Sequence, residues 1–229
     1  ATLNKAVSMP SLAVTERDVF LTISSGFGYE VWRLDHELEN AKRIVRRVRG
    51  CCGQLDIQTD GADLLVAENS RFRVVRFDRD GKKQNQFGSR DRSQQDGFGS
   101  CCNPMNLQCC ANGDLLTAES SIGDIKRFSA DGELLSYIGK ASIASGCKQV
   151  TLAHDSVRDR FYLYHKEKNA LCVLIPTSEA PEFTAEELAS KKAREGLGQK
   201  LVGQWTLEKE ESVGGNPIFA SMGIDIKAP

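Results

Sequence analysis

The sequence lacks a long hydrophobic run, a strong net charge and a recognised catalytic motif. No apolar stretch approaches the roughly 18 residues that a membrane-spanning helix needs, so we predict no direct membrane span. The 229 residues have a formal net charge of −1 at pH 7, which argues against a nucleic-acid partner. No serine-hydrolase elbow, zinc-protease helix motif or phosphate-binding glycine loop is present, so no motif indicates catalysis.

The eight cysteines are the most informative residues, because their surroundings recur along the chain. The vicinal pairs Cys51-Cys52 and Cys101-Cys102 lie 50 residues apart, and a third, reduced copy contains a single cysteine. Periods of 50 and 45 residues are typical of repeat architectures. In each copy one cysteine lies five residues before an apolar residue, with Cys52 before Ile57, Cys102 before Leu107 and Cys147 before Leu152.

Short apolar or alternating segments between Asp-Gly and Asn-Gly turns predict strands throughout residues 10–175. They group into repeats over about 10–50, 51–100, 101–146 and 147–180, so the repeats occupy residues 1–180. We therefore predict an all-β protein, a β-propeller with at least four blade-like repeats. In residues 181–229 the capping box Thr184-Ala185-Glu186-Glu187 predicts a helix, and later segments, such as Leu201 to Glu208, predict strands that complete or cap the propeller.

Two of these repeats resemble the NHL family of β-propellers. NHL blades carry a proline before the first strand, a glycine turn, an acidic residue after the second strand and a Phe-x-x-x-Gly turn. The resemblance covers about residues 10–175 and implies a fold rather than an activity. The paired cysteines are outside the general NHL pattern and resemble a cysteine-bearing bacterial subgroup associated with redox proteins. The matching segments are Gly61 to Asn69, Phe77 to Gly81, Gly113 to Glu119 and Phe128 to Gly132, with Pro104 at the proline position.

The recurring cysteines predict one cofactor site. In a propeller the first strand of each blade lines the axis, so equivalent residues just before these strands meet at one mouth. We expect Cys52, Cys102 and Cys147 to bind a metal there, with Cys51 or Cys101 as the fourth ligand. Thiolates in this number suit an iron-sulfur cluster, predicted as [4Fe-4S], with zinc or no metal as the alternatives. The preferred function is electron transfer with a redox partner protein or within a larger complex.

The other three cysteines are predicted to lie outside this site. Cys109 and Cys110 follow the second pair by eight residues, which puts them about 20 Å away at the far end of the same strand. A turn-associated disulfide or small buried side chains are their expected roles. Cys172 is predicted to lie in the core. His154-Asp155 is expected to be an exposed turn pair rather than a catalytic or metal-binding pair.

Two other functions remain open. An exported propeller with disulfides between its blades is expected to act as a protein-interaction scaffold. A lactonase-like hydrolase is expected to bind calcium through Asp56 and Asn106, although bonding of these side chains to the local backbone is the preferred interpretation. The start at Ala1, without an initiator methionine, favours export, for example to the periplasm.

Overall fold

The described part of the chain folds into four antiparallel sheets of four strands each. The strands follow one another in chain order within every sheet, and a short 3-10 turn lies at Asn69–Arg71. This arrangement confirms the predicted all-β, propeller-like fold. The computed structural model describes residues 8–26, 28–121, 123–141, 146–165, 169–176, 178 and 205–212.

Each sheet is a meander in which neighbouring strands are also neighbours in sequence. The first sheet contains β1 (Leu12–Val14), β2 (Val19–Ser25), β3 (Gly28–Leu34) and β4 (Lys42–Val48). The second contains β5 (Asp56–Thr59), β6 (Leu64–Glu68), β7 (Arg73–Phe77) and β8 (Lys83–Phe87). The third contains β9 (Asn106–Cys109), β10 (Leu115–Ala118), β11 (Asp124–Phe128) and β12 (Leu134–Lys140). The fourth contains β13 (Leu152–Asp155), β14 (Arg160–His165), β15 (Ala170–Pro176) and β16 (Trp205–Ser212).

Apolar clusters between successive sheets hold the blades together. Strand β6 is buried along its whole length, and its side chains alternate between two of these clusters. Leu64 and Val66 pack toward the first sheet, while Leu65 and Ala67 pack toward the third. A further cluster joins the third and fourth sheets. Because each fully buried aliphatic side chain contributes about 1.5–3 kcal/mol, these clusters are the main source of stability.

The first strands of successive sheets contact one another, in the order β1, β5, β9, β13. A polar side chain at the start of one first strand accepts a hydrogen bond from the backbone of the next, so the sheets are tied together around the axis. The same type of bond therefore recurs at successive sheet junctions. The three bonds run from Ile57 N to Ser11 Oγ (3.2 Å), from Leu107 N to Asp56 Oδ2 (2.8 Å) and from Val150 N to Asn106 Oδ1.

The glycines of the two Phe-x-x-x-Gly turns allow each turn to pack closely on the preceding sheet. Gly81 has a φ of 86°, and a Cβ at this position would lie 2.2 Å from the carbonyl oxygen of Ile44 in β4. Gly132 has a φ of 92°, and its Cβ would lie 2.3 Å from the Phe87 ring of β8. Both the left-handed backbone and the lack of space therefore require glycine.

The fourth sheet takes its last strand from the C-terminal part of the sequence. Strand β16 pairs antiparallel with β15, and Trp205 lies opposite Pro176 in the register. The predicted segment from Leu201 to Glu208 thus overlaps a real strand that supplies the edge missing from the fourth repeat. The helix predicted from Thr184 lies outside the described residues, and the division of the chain at residue 180 stays a prediction. In the part of the chain that the structure describes, no helix has the length and apolar character needed to cross a bilayer.

Candidate metal centre

Five cysteines lie at the end of the molecule where the first strands begin. Cys51 and Cys52 precede β5, Cys101 and Cys102 precede β9, and Cys147 precedes β13. Because β5, β9 and β13 are neighbours around the axis, the loops that enter them meet at one axial end. Three successive sheets therefore contribute thiols to the same place.

Four of these thiols form a compact group. The Sγ atoms of Cys51, Cys52, Cys102 and Cys147 all lie within 4.8 Å of one another. Cys102 is buried, Cys51 and Cys147 are half-buried, and Cys52 is exposed. Cys101 is exposed and outside this group of four, but its Sγ lies 2.7 Å from Sγ of Cys147. The site thus has four clustered thiols and a fifth at its edge.

A tight turn brings the first vicinal pair of thiols together. Cys51 and Gln54 exchange two backbone hydrogen bonds, with N–O distances of 3.2 and 2.9 Å. Cys52 lies inside this turn with a left-handed φ of 56°. Adjacent residues on a strand point to opposite sides, but this turn puts the Sγ atoms of Cys51 and Cys52 only 3.4 Å apart. Two vicinal thiols can therefore face the same metal.

The second cysteine loop is held by a buried ion pair that sequence reasoning missed. The Glu119 carboxylate accepts a hydrogen bond from Gly99 N at 2.8 Å, just before the Cys101-Cys102 pair. The Lys126 ammonium donates to Glu119 and to the carbonyl of Gly97. Only 0% and 3% of the Glu119 and Lys126 side chains are exposed. Burial raises the pKa of Glu119, and Lys126 opposes that shift.

Asn103 ties the same loop to the end of β10. Its Nδ2 donates to Gly99 O at 2.9 Å, and its Oδ1 accepts from Ser120 N at 2.9 Å. The side chain is fully buried. These bonds fix the backbone directly after Cys102 relative to the third sheet. The position of the Cys102 thiol is therefore set by the fold rather than by a flexible loop.

The loop of Cys147 is attached to the second and third sheets. Gln54 Nε2 donates to Cys147 O at 3.0 Å, which joins the turn of the first pair to the fourth sheet. Ser121 Oγ donates to Gly146 O at 2.9 Å, which joins the third sheet to the same loop. These bonds explain how a lone cysteine with no vicinal partner comes to lie beside both pairs.

The clustered thiols do not lose their protons with equal ease. Burial raises the pKa of Cys102, and hydrogen bonding to the neighbouring thiols adds to that effect. The hydrogen bond from Cys101 and burial together raise the pKa of Cys147 to about 12, while the same bond lowers the pKa of Cys101. Several thiolates cannot accumulate side by side without a balancing positive charge. A bound cation supplies that charge and displaces the protons.

The separation of the sulfurs fits the coordination shell of one metal ion. A tetrahedral ion at about 2.3 Å from each thiolate places the sulfurs about 3.8 Å from one another. The group of four lies within 4.8 Å, so small side-chain shifts bring it to that geometry. Thiolates are soft ligands that suit zinc, copper(I) and iron-sulfur centres. This cysteine cluster can therefore hold a metal or a cluster.

The remaining predicted positions have other surroundings. Cys172 is buried in the cluster between the third and fourth sheets, as expected. Cys109 and Cys110 are free, half-buried thiols that lie outside the group of four. The prediction of an exposed turn pair was wrong for His154, because its side chain is only 6% exposed and its Nδ1 lies 3.5 Å from the Cys110 sulfur.

Asp56 and Asn106 make structural bonds rather than an open calcium site. The buried Asp56 carboxylate accepts hydrogen bonds from Ser11 Oγ (2.8 Å), Asn106 Nδ2 (3.2 Å) and Leu107 N (2.8 Å). Asn106 Oδ1 accepts from Val150 N. The oxygens that calcium would need thus already accept hydrogen bonds, as in the structural interpretation, but their backbone donors belong to the next sheet rather than to the local backbone.

Comparisons with known proteins support the fold. No family model matches the chain, and no curated protein of similar sequence is found. A protein of unknown function from Bacteroides caccae is 13% identical with a TM-score of 0.50, covering 81% of this chain and 64% of its own. A structure of the nidogen/laminin complex gives 15% identity and a TM-score of 0.51, covering 75% and 61%. The chain thus spans less than two thirds of the length of either structure.

A gluconolactonase from Xanthomonas campestris is also similar, at 17% identity and a TM-score of 0.46, over 68% of this chain and 53% of its own. Likeness at these identities concerns the fold and does not transfer an activity. The fold and the cysteine cluster together define a β-propeller with a candidate thiolate metal site at one axial end.

Proposed function

We propose that the chain is an NHL-type propeller in which Cys51, Cys52, Cys102 and Cys147 bind iron, and that this iron centre transfers electrons. The observation that carries the proposal is the convergence of four Sγ atoms within 4.8 Å from the loops of three successive sheets. The NHL assignment is supported by the close-packed Phe-x-x-x-Gly turns. It is also supported by the carboxylates that end the second strands of the second and third sheets.

The sulfur spacing favours one iron over the [4Fe-4S] cluster that the sequence predicted. In a four-iron cube each thiolate binds a different iron, so the four sulfurs lie outside the cube and farther apart than the ligands of a single ion. The observed separations are close to those of a single tetrahedral ion. Binding a cube requires the three loops to move apart, whereas the bond from Gln54 Nε2 to Cys147 O holds the loops of the second and fourth sheets together.

Exposure favours electron transfer over a purely structural metal. Cys52 and Cys101 are exposed at the rim of the site, while Cys102 anchors it in the interior. A partner protein can therefore approach the metal through its thiolate ligands. Iron held by Cys51, Cys52, Cys102 and Cys147 would supply one-electron ferric/ferrous chemistry at this rim. The redox partner and export to the periplasm remain predictions from the sequence.

The decisive experiment is metal and sulfide analysis of protein purified without oxygen, combined with visible absorption before and after reduction. About one iron per chain without sulfide, and absorption that bleaches on reduction, supports the proposal with a single ion. About four irons and four sulfides per chain supports electron transfer through the larger cluster. Protein that stays colourless and binds no iron under iron-rich expression contradicts the proposal.

The first cysteines of the two vicinal pairs, Cys51 and Cys101, provide a matched test of the ligand set. We expect Cys102→Ser and Cys51→Ser to lose most of the iron, because each removes a thiol of the group of four. Cys101→Ser should keep the iron, since Cys101 lies outside that group. The measurement is iron per folded chain, with folding checked by circular dichroism. Iron loss in Cys101→Ser with retention in Cys51→Ser would reverse the assignment of the fourth ligand.

A second candidate is a structural zinc that joins three blades. The same sulfur spacing fits zinc, and a four-thiolate zinc site is closed and unreactive. Stoichiometric zinc after expression with both metals, and no redox-active absorption, selects this candidate. The disulfide-stiffened scaffold has one supporting distance, the 2.7 Å between the sulfurs of Cys101 and Cys147. A non-reducing peptide map that joins these two cysteines in metal-free protein selects the scaffold.

A further inference from the structure

A second group of reactive side chains lies at the opposite end of the same strands. Cys110 directly follows β9, His154 belongs to β13, and Asp159 lies in the turn before β14. The cysteine cluster precedes β9 and β13, so the strands separate the two groups. Cys110 Sγ is 3.5 Å from His154 Nδ1, and His154 Nε2 is 2.9 Å from Asp159 Oδ1. The side chains thus form a thiol, imidazole and carboxylate in series.

The shorter contact at Nε2 assigns the tautomer of the imidazole, because Asp159 Oδ1 lies 2.9 Å from Nε2 while the Arg127 guanidinium, which only donates, lies 3.4 Å from it. A carboxylate only accepts hydrogen bonds, so the hydrogen of neutral His154 is on Nε2, facing Asp159. Nδ1 then presents a lone pair to the Cys110 S–H. Arg127 donates to the same Asp159 oxygen at 3.2 Å and keeps that carboxylate in place. This is the arrangement in which an imidazole acts as a general base toward a thiol.

The imidazole is held rigidly by packing. The His154 ring stacks on Phe161 with centroids 4.7 Å apart, and its side chain is 6% exposed. The Arg127 guanidinium lies over the same Phe161 ring at 5.8 Å from its centroid. A general base needs such a fixed orientation, because proton transfer depends on the distance and direction of the acceptor. Cys110 itself is half-buried.

We propose that Cys110 is a nucleophile that accepts acyl groups from small thioesters, with His154 as its general base and Asp159 as the residue that positions His154. The Cys110 sulfur attacks the carbonyl carbon of the thioester as its proton passes to His154 Nδ1. A new thioester bond then forms to Cys110, and the bond to the donor's sulfur breaks. His154 returns the proton to the departing thiolate, so the step conserves bonds and charge without any further reactant.

Acyl transfer suits this thiol better than oxidation does. Burial raises the pKa of Cys110, although Arg127 opposes that shift, so the group is a protonated thiol at neutral pH. Peroxides react with the thiolate form and not with the thiol. A thioester, in contrast, can be attacked as the base removes the proton in the same step. The proposal is independent of the metal, since it uses none of the cluster thiols.

The test is acetylation of the intact chain by S-acetyl-N-acetylcysteamine, a small thioester, followed by peptide mapping that gives a rate for each cysteine. We expect Cys110 to be acetylated faster than Cys109 and Cys172. His154→Gln should lower the Cys110 rate by about 100-fold, the lower end of what general-base catalysis contributes. Asp159→Asn should lower it by a smaller factor, since the imidazole remains but loses its orienting carboxylate. Cys109→Ser is the matched control and should leave the Cys110 rate unchanged.

The pH profile separates a base from a merely structural histidine. The charged or titratable groups that face Cys110 are His154, Asp114, Asp159 and Arg127. The rate in the unmodified protein should level off with rising pH, because His154 supplies the base and the thiol itself need not ionise first. In His154→Gln it should keep rising into alkaline pH as the thiol itself ionises. If His154→Gln misfolds, the half-exposed Asp159 provides the second variant. Equal rates for Cys109 and Cys110, or a Cys110 rate unchanged in a folded His154→Gln or Asp159→Asn, overturns the proposal.

Discussion

The second and third sheets hold their cysteine pairs with the same backbone bond but in different surroundings. Glu68 and Glu119 occupy equivalent positions at the ends of β6 and β10. Each accepts a hydrogen bond from the backbone N–H two residues before a vicinal pair, Glu68 from Arg49 at 3.0 Å and Glu119 from Gly99 at 2.8 Å. The cations differ, because the arginines beside Glu68 are partly exposed while Lys126 is buried. The same hydrogen bond to the cysteine loop is thus supported by partly exposed ion pairs in the second sheet and by a buried ion pair in the third.

The two sheets also differ in which residue provides the side-chain amide that links the cysteine loop to the end of the second strand. In the third sheet the amide is on the loop, where Asn103 reaches the backbone of Ser120. In the second sheet Gly53 occupies the loop position, and Asn69, which is equivalent to Ser120, donates back to the carbonyl of Gln54 at 3.2 Å. Both sheets therefore have a side-chain amide hydrogen bond between the cysteine loop and the end of the second strand. The amide belongs to the loop in the third sheet and to the strand end in the second.

The largest expected effect comes from removing the buried cation. Lys126→Met leaves the Glu119 carboxylate in the interior without its partner, and we expect the free energy of unfolding to fall by about 3–5 kcal/mol. The measurement is urea unfolding followed by fluorescence and circular dichroism. The matched variant in the second sheet is Arg73→Met, because Arg73 pairs with Glu68 in the same way.

Arg73→Met should cost only about 1 kcal/mol, since Glu68 keeps Arg71 and water can reach the pair. The double variant Glu119→Gln with Lys126→Met should recover part of the loss, because a neutral amide still accepts the bond from Gly99. Equal losses in the free energy of unfolding for Lys126→Met and Arg73→Met would show that burial does not make the Glu119 ion pair more important than the Glu68 ion pair.

The amide ties predict a smaller difference. Asn103→Ala leaves the Gly99 carbonyl and the Ser120 N–H without the side-chain partners that they have in the interior, at a cost of about 3 kcal/mol. Asn69→Ala removes one longer bond to Gln54 and should cost about 1 kcal/mol. Both values come from urea unfolding under the same conditions. A larger loss in Asn69→Ala contradicts the view that the loop of the third sheet depends more strongly on its amide.

The sequence predicted the parts of this structure that depend on spacing. Equal distances between cysteines and apolar residues predicted that Cys52, Cys102 and Cys147 approach one axial end, and the structure brings these three together with Cys51. Glycine turns and alternating apolar residues predicted the four-stranded sheets. Such features follow from periodicity, which is local and repeats along the chain.

The parts that were not predicted depend on contacts between distant residues or on one backbone angle. The turn that lets Cys51 and Cys52 face the same way needs a left-handed Cys52, which no sequence pattern indicates for a cysteine. The contact between Cys110 and His154 needs the register of the third sheet against the fourth. The one available signal was the acidic residue after the second strand, which marked Glu68 and Glu119 without revealing what they bind.

The smallest expected effect concerns Asp56 and Asn106, which occupy equivalent positions in the second and third sheets. Each accepts a hydrogen bond from a backbone N–H of the sheet that follows its own. Burial raises the pKa of Asp56, even though its hydrogen bonds oppose the shift. An acid with a raised folded-state pKa keeps its proton in the folded chain after the unfolded chain has lost it. Its contribution therefore lowers the free energy of unfolding as the pH rises through this range.

Asp56→Asn removes that titration and keeps an oxygen for Leu107 N, as the asparagine of the third sheet does for Val150 N. At mildly acidic pH the variant should lie within about 1 kcal/mol of the unmodified protein. Its relative stability should then increase toward neutral pH, where the buried carboxylate of the unmodified protein is charged. Urea unfolding at the two pH values checks this, and Asp131→Asn, which removes an exposed carboxylate, is the matched control. A difference that stays constant or shrinks with rising pH would mean that the carboxylate is stabilised as a charge, so that the aspartate and the asparagine are not equivalent acceptors.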